Sequence, residues 1–185
     1  MTSPTSPHQL FTIAVFTENH VGMISQISAI FTRRCINVDT LLGSPSSIPG
    51  IHKFTITCHS DRRSMEKVVK QIEKGVDVIR AFLFTDADIL YQEVALYKVP
   101  TQPLLSQNRM ETIIRRHNAR ILSINPEYTV LEKTGHEYET EALFDELKEY
   151  DIRQFVRSGR IAVTRSPIEF VDRFLAEEQL RRSNL

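Results

Sequence analysis

Apolar positions along this chain change period in a fixed order, and the order is run through twice. Phe11 to Phe16 is short and almost wholly apolar, the pattern of a buried strand. It breaks at the polar turn Thr17-Glu18-Asn19-His20-Val21-Gly22. Ile24, Ile27, Ile30 and Phe31 then recur at helical spacing, and Arg33-Arg34 stand in the last turn, where cations suit the negative end of the helix dipole. Ile36 to Leu42 is rich in strand-forming residues. Residues 43–50, with two prolines and two glycines, predict a loop. From His52 to Cys58 the alternation is strict, with His52, Phe54, Ile56 and Cys58 on one face and Lys53, Thr55 and Thr57 on the other. Met65, Val68, Val69 and Ile72 mark a second helix ending near Gly75, and Val76 to Phe84 supplies a further strand.

The order is strand, helix, strand, strand, helix, strand, the ferredoxin-like unit with two helices on one face of an antiparallel sheet. A weaker copy follows. Leu90 to Val99 reads as a strand, and Met110, Ile113, Ile114 and His117 as one face of a helix. Ile121 to Ile124 and Tyr128 to Leu131 are strands, Ala142, Leu143, Phe144 and Leu147 mark a helix, and Ile152 to Val156 with Ile161 to Val163 close the unit. Pro167 suits a helix start before Ile168, Val171, Phe174 and Leu175. The expectation is an α+β chain of two tandem ferredoxin-like βαββαβ domains. Residues 1–10 would form a disordered Ser/Pro/Thr tail, 11–86 the first domain, 89–166 the second, and 167–185 a C-terminal helix and tail.

Composition narrows the function classes. Lys plus Arg equals Asp plus Glu at 23 each within 185 residues, so no general electrostatic drive toward nucleic acid or anionic lipid exists. The arginine pairs, such as Arg33-Arg34 and Arg115-Arg116, read as solvated surface first and partner contacts second. Cys35 and Cys58 are the only cysteines and do not suggest a disulfide framework. The first ten residues carry no signal-peptide pattern, and no apolar stretch approaches membrane-spanning length, so a cytoplasmic chain without a membrane partner is expected.

Catalytic motifs are missing. There is no phosphate-binding glycine loop, no HExxH and no CxxC, and the 6 histidines are scattered. His52 and His117 read as core-edge residues, and Ser25 and Ser158 lack His and Asp partners in motif context. No catalytic residue and no metal ligand is expected.

One constellation remains, Asn19-His20-Val21-Gly22 before the first helix together with Asn37 at the second strand. Gly22 lets backbone approach a ligand closely, and the helix N-terminus behind it offers unpaired amides to a carboxylate. Asn19 and Asn37 each add a donor and an acceptor. On the residues alone, Asn19 also reads as a helix cap and Gly22 as a turn glycine.

The stretch FTENHVGMISQISAIFTRRCINVDTLL, Phe16 to Leu42, resembles the start of the regulatory small-subunit family of acetolactate synthase, whose first domain is an ACT domain. Lys74 to Arg80, Glu93 to Val99 and Val156 to Arg165 resemble three further landmarks of that family, in its order. The resemblance implies a homodimer formed through ACT domains, with a branched-chain amino acid between them. Valine is the expected effector, with leucine and isoleucine as alternatives. It implies that Asn19, Gly22 and Met23 hold the effector from the strand–helix turn, and that Asn37 and Val38 meet it from the other subunit. It further implies activation and feedback inhibition of a separate catalytic large subunit carrying thiamine diphosphate, Mg and FAD, with no cofactor in this chain. The family pattern is read with glycine and an aromatic where Arg34 and Cys35 stand, so a helix exit without its left-handed turn is expected. Two other readings compete: a stand-alone tandem amino-acid sensor acting on transcription or another enzyme, and a metal-responsive regulator using histidines of the second domain.

Overall fold

A computed structural model describes residues 8–105 and 109–183. The chain divides into two compact units, residues 1–90 with 162–185, and residues 91–161.

In the first unit, strand β1 (Gln9–Glu18) leads to helix α1 (Met23–Arg33), strands β2 (Thr40–Pro45) and β3 (Ile51–Ser60), helix α2 (Arg62–Ile72) and strand β4 (Val78–Phe84). The sheet order is β2-β3-β1-β4 and every pairing is antiparallel. Phe11, Ile13 and Val15 of β1 meet Phe54, Ile56 and Cys58 of β3 on one face. That face packs on Met23, Ile27, Ile30 and Phe31 of α1 and on Met65, Val68 and Ile72 of α2. Asp61 caps α2, its carboxylate accepting from Ser64 N at 2.9 Å.

The second unit repeats the plan with β5 (Ile89–Pro100), α3 (Thr101–Leu105), α4 (Arg109–His117), β6 (Arg120–Ile124), β7 (Tyr128–Gly135), α5 (Glu137–Leu147) and β8 (Gln154–Arg157). Its order, β6-β7-β5-β8, is that of the first sheet. Ala95, Tyr97, Val99 and Leu131 form the inner face, covered by Ile113 of α4 and by Leu143 and Leu147 of α5. The expected α+β architecture of two tandem ferredoxin-like folds is therefore present.

Several local expectations differ from the structure. The expected tail, 1–10, lies outside the described residues up to residue 7, and Gln9 and Leu10 already pair in β1. Residues 43–45 are not loop: Gly43, Ser44 and Pro45 extend β2 and pair with Phe54, Lys53 and His52. Because β2 is the sheet edge, Pro45 forfeits no ladder bond. Gly43 is needed there, since a Cβ would stand 2.8 Å from the Phe54 ring. Ile24 is exposed, and Met23 takes its place on the buried stripe of α1. Ile36 and Val38 precede β2 and pack on the core from irregular backbone. Val76 likewise stands exposed before β4.

The helix exit also corrects the reading at Arg34 and Cys35. Cys35 itself takes the left-handed conformation, φ 53°. Its N–H donates to Thr32 O at 3.0 Å and that of Ile36 to Phe31 O at 3.1 Å, the paired bonds of a Schellman cap. The left-handed turn is kept without glycine.

After β8, strand β9 (Ile161–Thr164) pairs with β5 as the fifth strand of the second sheet, and helix α6 (Phe170–Ser183) follows; from Ala162 onward the chain groups with the first unit. Lys53 Nζ donates to Ala162 O at 3.2 Å, and Arg165 N donates to Asp88 O at 2.9 Å. The Phe170 ring lies 5.5 Å from Phe82 and 6.1 Å from Phe84, on the sheet face opposite α1 and α2.

Candidate functional site

The turn between β1 and α1 is shaped by Gly22, whose φ of 90° and ψ of 0° few other residues adopt. Gly22 is the N-cap of α1; Asn19 is not, and no side chain caps this helix. No acidic residue stands in its first turn, so the amides at its start and their partial positive charge meet no carboxylate of their own. Asn19 is exposed, and its side chain makes no hydrogen bond among the described residues. Met23 is buried and belongs to the core.

The turn is braced from one side. His20 Nδ1 is hydrogen-bonded to Asp77 Oδ1 at 2.8 Å, and Glu18 N donates to Asp77 O at 2.9 Å. Glu18 Oε2 lies 3.7 Å from His20 Nε2. Glu18, His20 and Asp77 bring metal-type ligand atoms within 4.8 Å of one another. In this structure they pair among themselves, with the two carboxylates addressing opposite nitrogens of one ring. Sequence reasoning missed this brace because Asp77 is remote in the chain.

Asn37 and Val38 lie just beyond the far end of α1. An 11-residue helix is about 16 Å long, so they stand roughly that far from Asn19, Gly22 and Met23. Asn37 is exposed, whereas Val38 packs partly against the core. Within one copy, the five expected effector residues are therefore in two groups that no single amino acid spans.

A solvent-open cleft of about 760 Å³ begins at Asn19. Glu18, Asn19 and His20 form one side, and Ile51, Ile79, Phe174 and Leu175 provide apolar surface. Phe174 and Leu175 come from α6, and neither was expected near a site. A second groove, about 650 Å³, runs between α1 and α2 and includes Met23.

The second unit carries a buried polar network. Glu93 accepts from the Thr140 hydroxyl and lies 3.5 Å from Arg157 Nη1, which also reaches Glu137 at 3.0 Å. Burial, and then the Glu93 carboxylate, push the Tyr97 phenol above its ordinary value, while its hydroxyl donates to Thr140 O at 2.6 Å. The His136 N–H holds the Glu139 carboxyl below the usual range. Val94 and Ser158 exchange hydrogen bonds beside this network, joining β5 to the segment after β8. These groups pin strands together, and none stands as a nucleophile beside a base. His117, expected at a core edge, is half-buried and paired with Glu146 at 2.6 Å.

Comparison with known proteins agrees with this two-part plan. Residues 13–80 match the model of the AHAS small subunit-like ACT domain, and residues 92–166 match that of the small subunit of acetolactate synthase. A probable acetolactate synthase small subunit of Archaeoglobus fulgidus is 27% identical over 154 residues, covering 83% of this chain and 96% of that protein. The acetolactate synthase small subunit of Bacillus subtilis is 27% identical over 154 residues, 83% of this chain and 89% of its own. The crystal structure of the acetolactate synthase small subunit from Thermotoga maritima superposes with a TM-score of 0.78 at 21% identity, over 86% of this chain and 99% of that one, a likeness of fold. Among the described residues no helix is long and apolar enough to cross a membrane. With both models matched in sequence order, the chain belongs to the acetolactate synthase small-subunit family, its first domain an ACT domain.

Proposed function

We propose that this chain is the regulatory subunit of an acetolactate synthase in branched-chain amino acid biosynthesis. In this reading it activates a catalytic large subunit and confers feedback inhibition by valine held between two ACT domains. It carries no catalytic group; thiamine diphosphate, Mg and FAD belong to the catalytic partner, beside which it works in the cytoplasm.

The observation that supports this reading is the separation along α1. Asn19, Gly22 and Met23 stand at its start and Asn37 and Val38 beyond its end, about 16 Å away. A small zwitterion that meets both groups has to lie between two copies arranged head to tail. The uncapped start of α1 suits its carboxylate. Binding regulates only if the effector has different affinities for two states of the assembly.

The test is reconstitution. The purified chain alone should form no acetolactate, and adding it to the catalytic subunit should raise the rate and make it valine-sensitive. Asn19→Ala should weaken valine inhibition at least tenfold while activation survives. A catalytic rate indifferent to this chain, with or without valine, would overturn the reading.

A further inference from the structure

Among the described residues, three histidines pair with a carboxylate, and they differ in what else that carboxylate meets. His117 Nε2 lies 2.6 Å from Glu146, but Arg116 Nη1 takes the same carboxylate at 2.8 Å and balances its charge. His59 Nδ1 lies 2.7 Å from Asp39 Oδ2, and no further His, Cys, Asp or Glu joins that pair. His20 alone stands between two carboxylates, with Asp77 Oδ1 at 2.8 Å from Nδ1 and Glu18 Oε2 at 3.7 Å from Nε2.

Three features set this group apart. The Glu18 and Asp77 carboxylates come within 4.8 Å of each other and of a ring nitrogen. Neither has a Lys or Arg partner among the described residues, and no Lys or Arg lines the adjoining cleft, so two like charges face each other uncompensated. The group is also fixed in place and reachable. Glu18 N donates to Asp77 O at 2.9 Å, tying the end of β1 to the residue before β4, and Glu18 and His20 border the solvent-open cleft.

We propose that Glu18, His20 and Asp77 bind one divalent transition-metal ion, with both carboxylates and one ring nitrogen as ligands and water from the cleft completing the shell. Ligands at bond lengths of about 2.0 to 2.2 Å stand roughly 3 to 4 Å apart around one ion, so a rotation of the exposed Glu18 side chain closes the set. Two charges of the ion offset the two carboxylates. The imidazole directs the choice of metal toward zinc and its neighbours, whereas magnesium and calcium take oxygen ligands. The site uses none of the five residues expected at the effector and stands or falls independently of it. Because the three ligands come from both ends of the fold's edge-to-centre pairing of β1 and β4, the bound ion stabilises the native first unit.

The experiment is calorimetric titration of the metal-free full chain with Zn2+ and, separately, Mg2+, together with melting curves in each. Wild type should bind one Zn2+ per chain, at least tenfold more tightly than Mg2+, and melt at a higher temperature with zinc. Glu18→Gln, His20→Gln and Asp77→Asn should each weaken zinc at least tenfold and remove the melting shift. Glu18 and His20 are more than half exposed, so their variants keep the test available should Asp77→Asn fail to fold. His59→Gln, which breaks the two-member pair with Asp39, should bind zinc within twofold of wild type. The proposal is overturned if wild type binds no zinc, if Glu18→Gln and His20→Gln bind it as wild type does, or if His59→Gln abolishes binding.

Discussion

At the scale of single residues, the exit of α1 holds the most informative departure. Cys35 adopts a left-handed backbone in a position where glycine costs nothing. A non-glycine residue there costs about 1 to 2 kcal/mol, of which glycine's greater unfolded freedom gives back about 0.5 to 1. Cys35→Gly should therefore stabilise the first unit by about 0.5 to 1 kcal/mol, read as a higher urea midpoint at unchanged slope. Asn118 occupies the same kind of cap after α4, with φ 48° and Ala119 N donating to Ile114 O at 2.9 Å. Asparagine tolerates this conformation better, so Asn118→Gly should gain less. A destabilising Cys35→Gly would contradict the cap. The two thiols should also separate chemically. Cys35 is exposed, whereas Cys58 is buried against Met65 with its sulfur 3.2 Å from Sδ, and burial pushes its thiol up to about 12. A maleimide reagent should modify Cys35 in the native protein and reach Cys58 only on unfolding. The alternation of β3 already put Cys58 on the face of Phe54 and Ile56, whereas the cap was not legible beforehand, because the chain marks its left-handed residue with cysteine.

At the scale of elements, legibility followed burial. The strands β1 and β3 and the helices α1 and α2 each present one face to a single core, so their periods in the sequence are those of the structure. The edge strand β2 was truncated in the reading because Gly43 and Pro45 signal a loop wherever both neighbours must pair; with one neighbour absent, they do not. In the second unit, the landmark residues Glu93 and Arg157 were recognisable, yet their mutual contact was not, since 64 positions separate them. The element they stabilise is the β5–β8 pairing. Glu93→Ala removes the charged acceptor of the buried Thr140 hydroxyl, which keeps Glu137 O at 2.9 Å, and takes from Arg157 one of its carboxylate partners, leaving Glu137 at 3.0 Å. The expected cost is about 1 to 3 kcal/mol, measured by urea unfolding. Because Arg157 is about a third exposed, the ion pair itself contributes little beyond that. An Arg157→Lys variant should accordingly lose less than Glu93→Ala, and the reverse ranking would show that the charge pair dominates. The same logic applies to α6. A chain ending at Pro167 uncovers Phe82 and Phe84, which should lower the melting temperature and increase binding of an apolar dye.

At the scale of the molecule, the first unit combines two separate stretches of the chain, residues 1–90 and 162–185, and the second is one continuous stretch, 91–161. Periodicity could identify α6 as a helix but not the sheet it covers, because amphipathic spacing names a buried face and not its partner. Each unit nevertheless carries its own alkaline liability. Cys58 lies in the first, with its thiol raised by burial and then by the Asp39 charge; Tyr97 lies in the second, raised by burial and then by Glu93. The ordinary values are 9.0 and 10.0, and both native values are higher, so their stabilising contribution is complete below those values. As pH climbs past them, the unfolded chain releases protons that the folded chain keeps, and stability falls. Unfolding free energy should thus decline steadily between about pH 9 and pH 11, with the first unit responding at lower pH than the second. Cys58→Ala and Tyr97→Phe each lower stability at neutral pH, one by a small cavity and the other by the lost bond to Thr140 O. Each should also flatten its unit's slope with pH. A double variant whose stability still falls as steeply as the wild type's over that interval would place the alkaline loss elsewhere in the molecule.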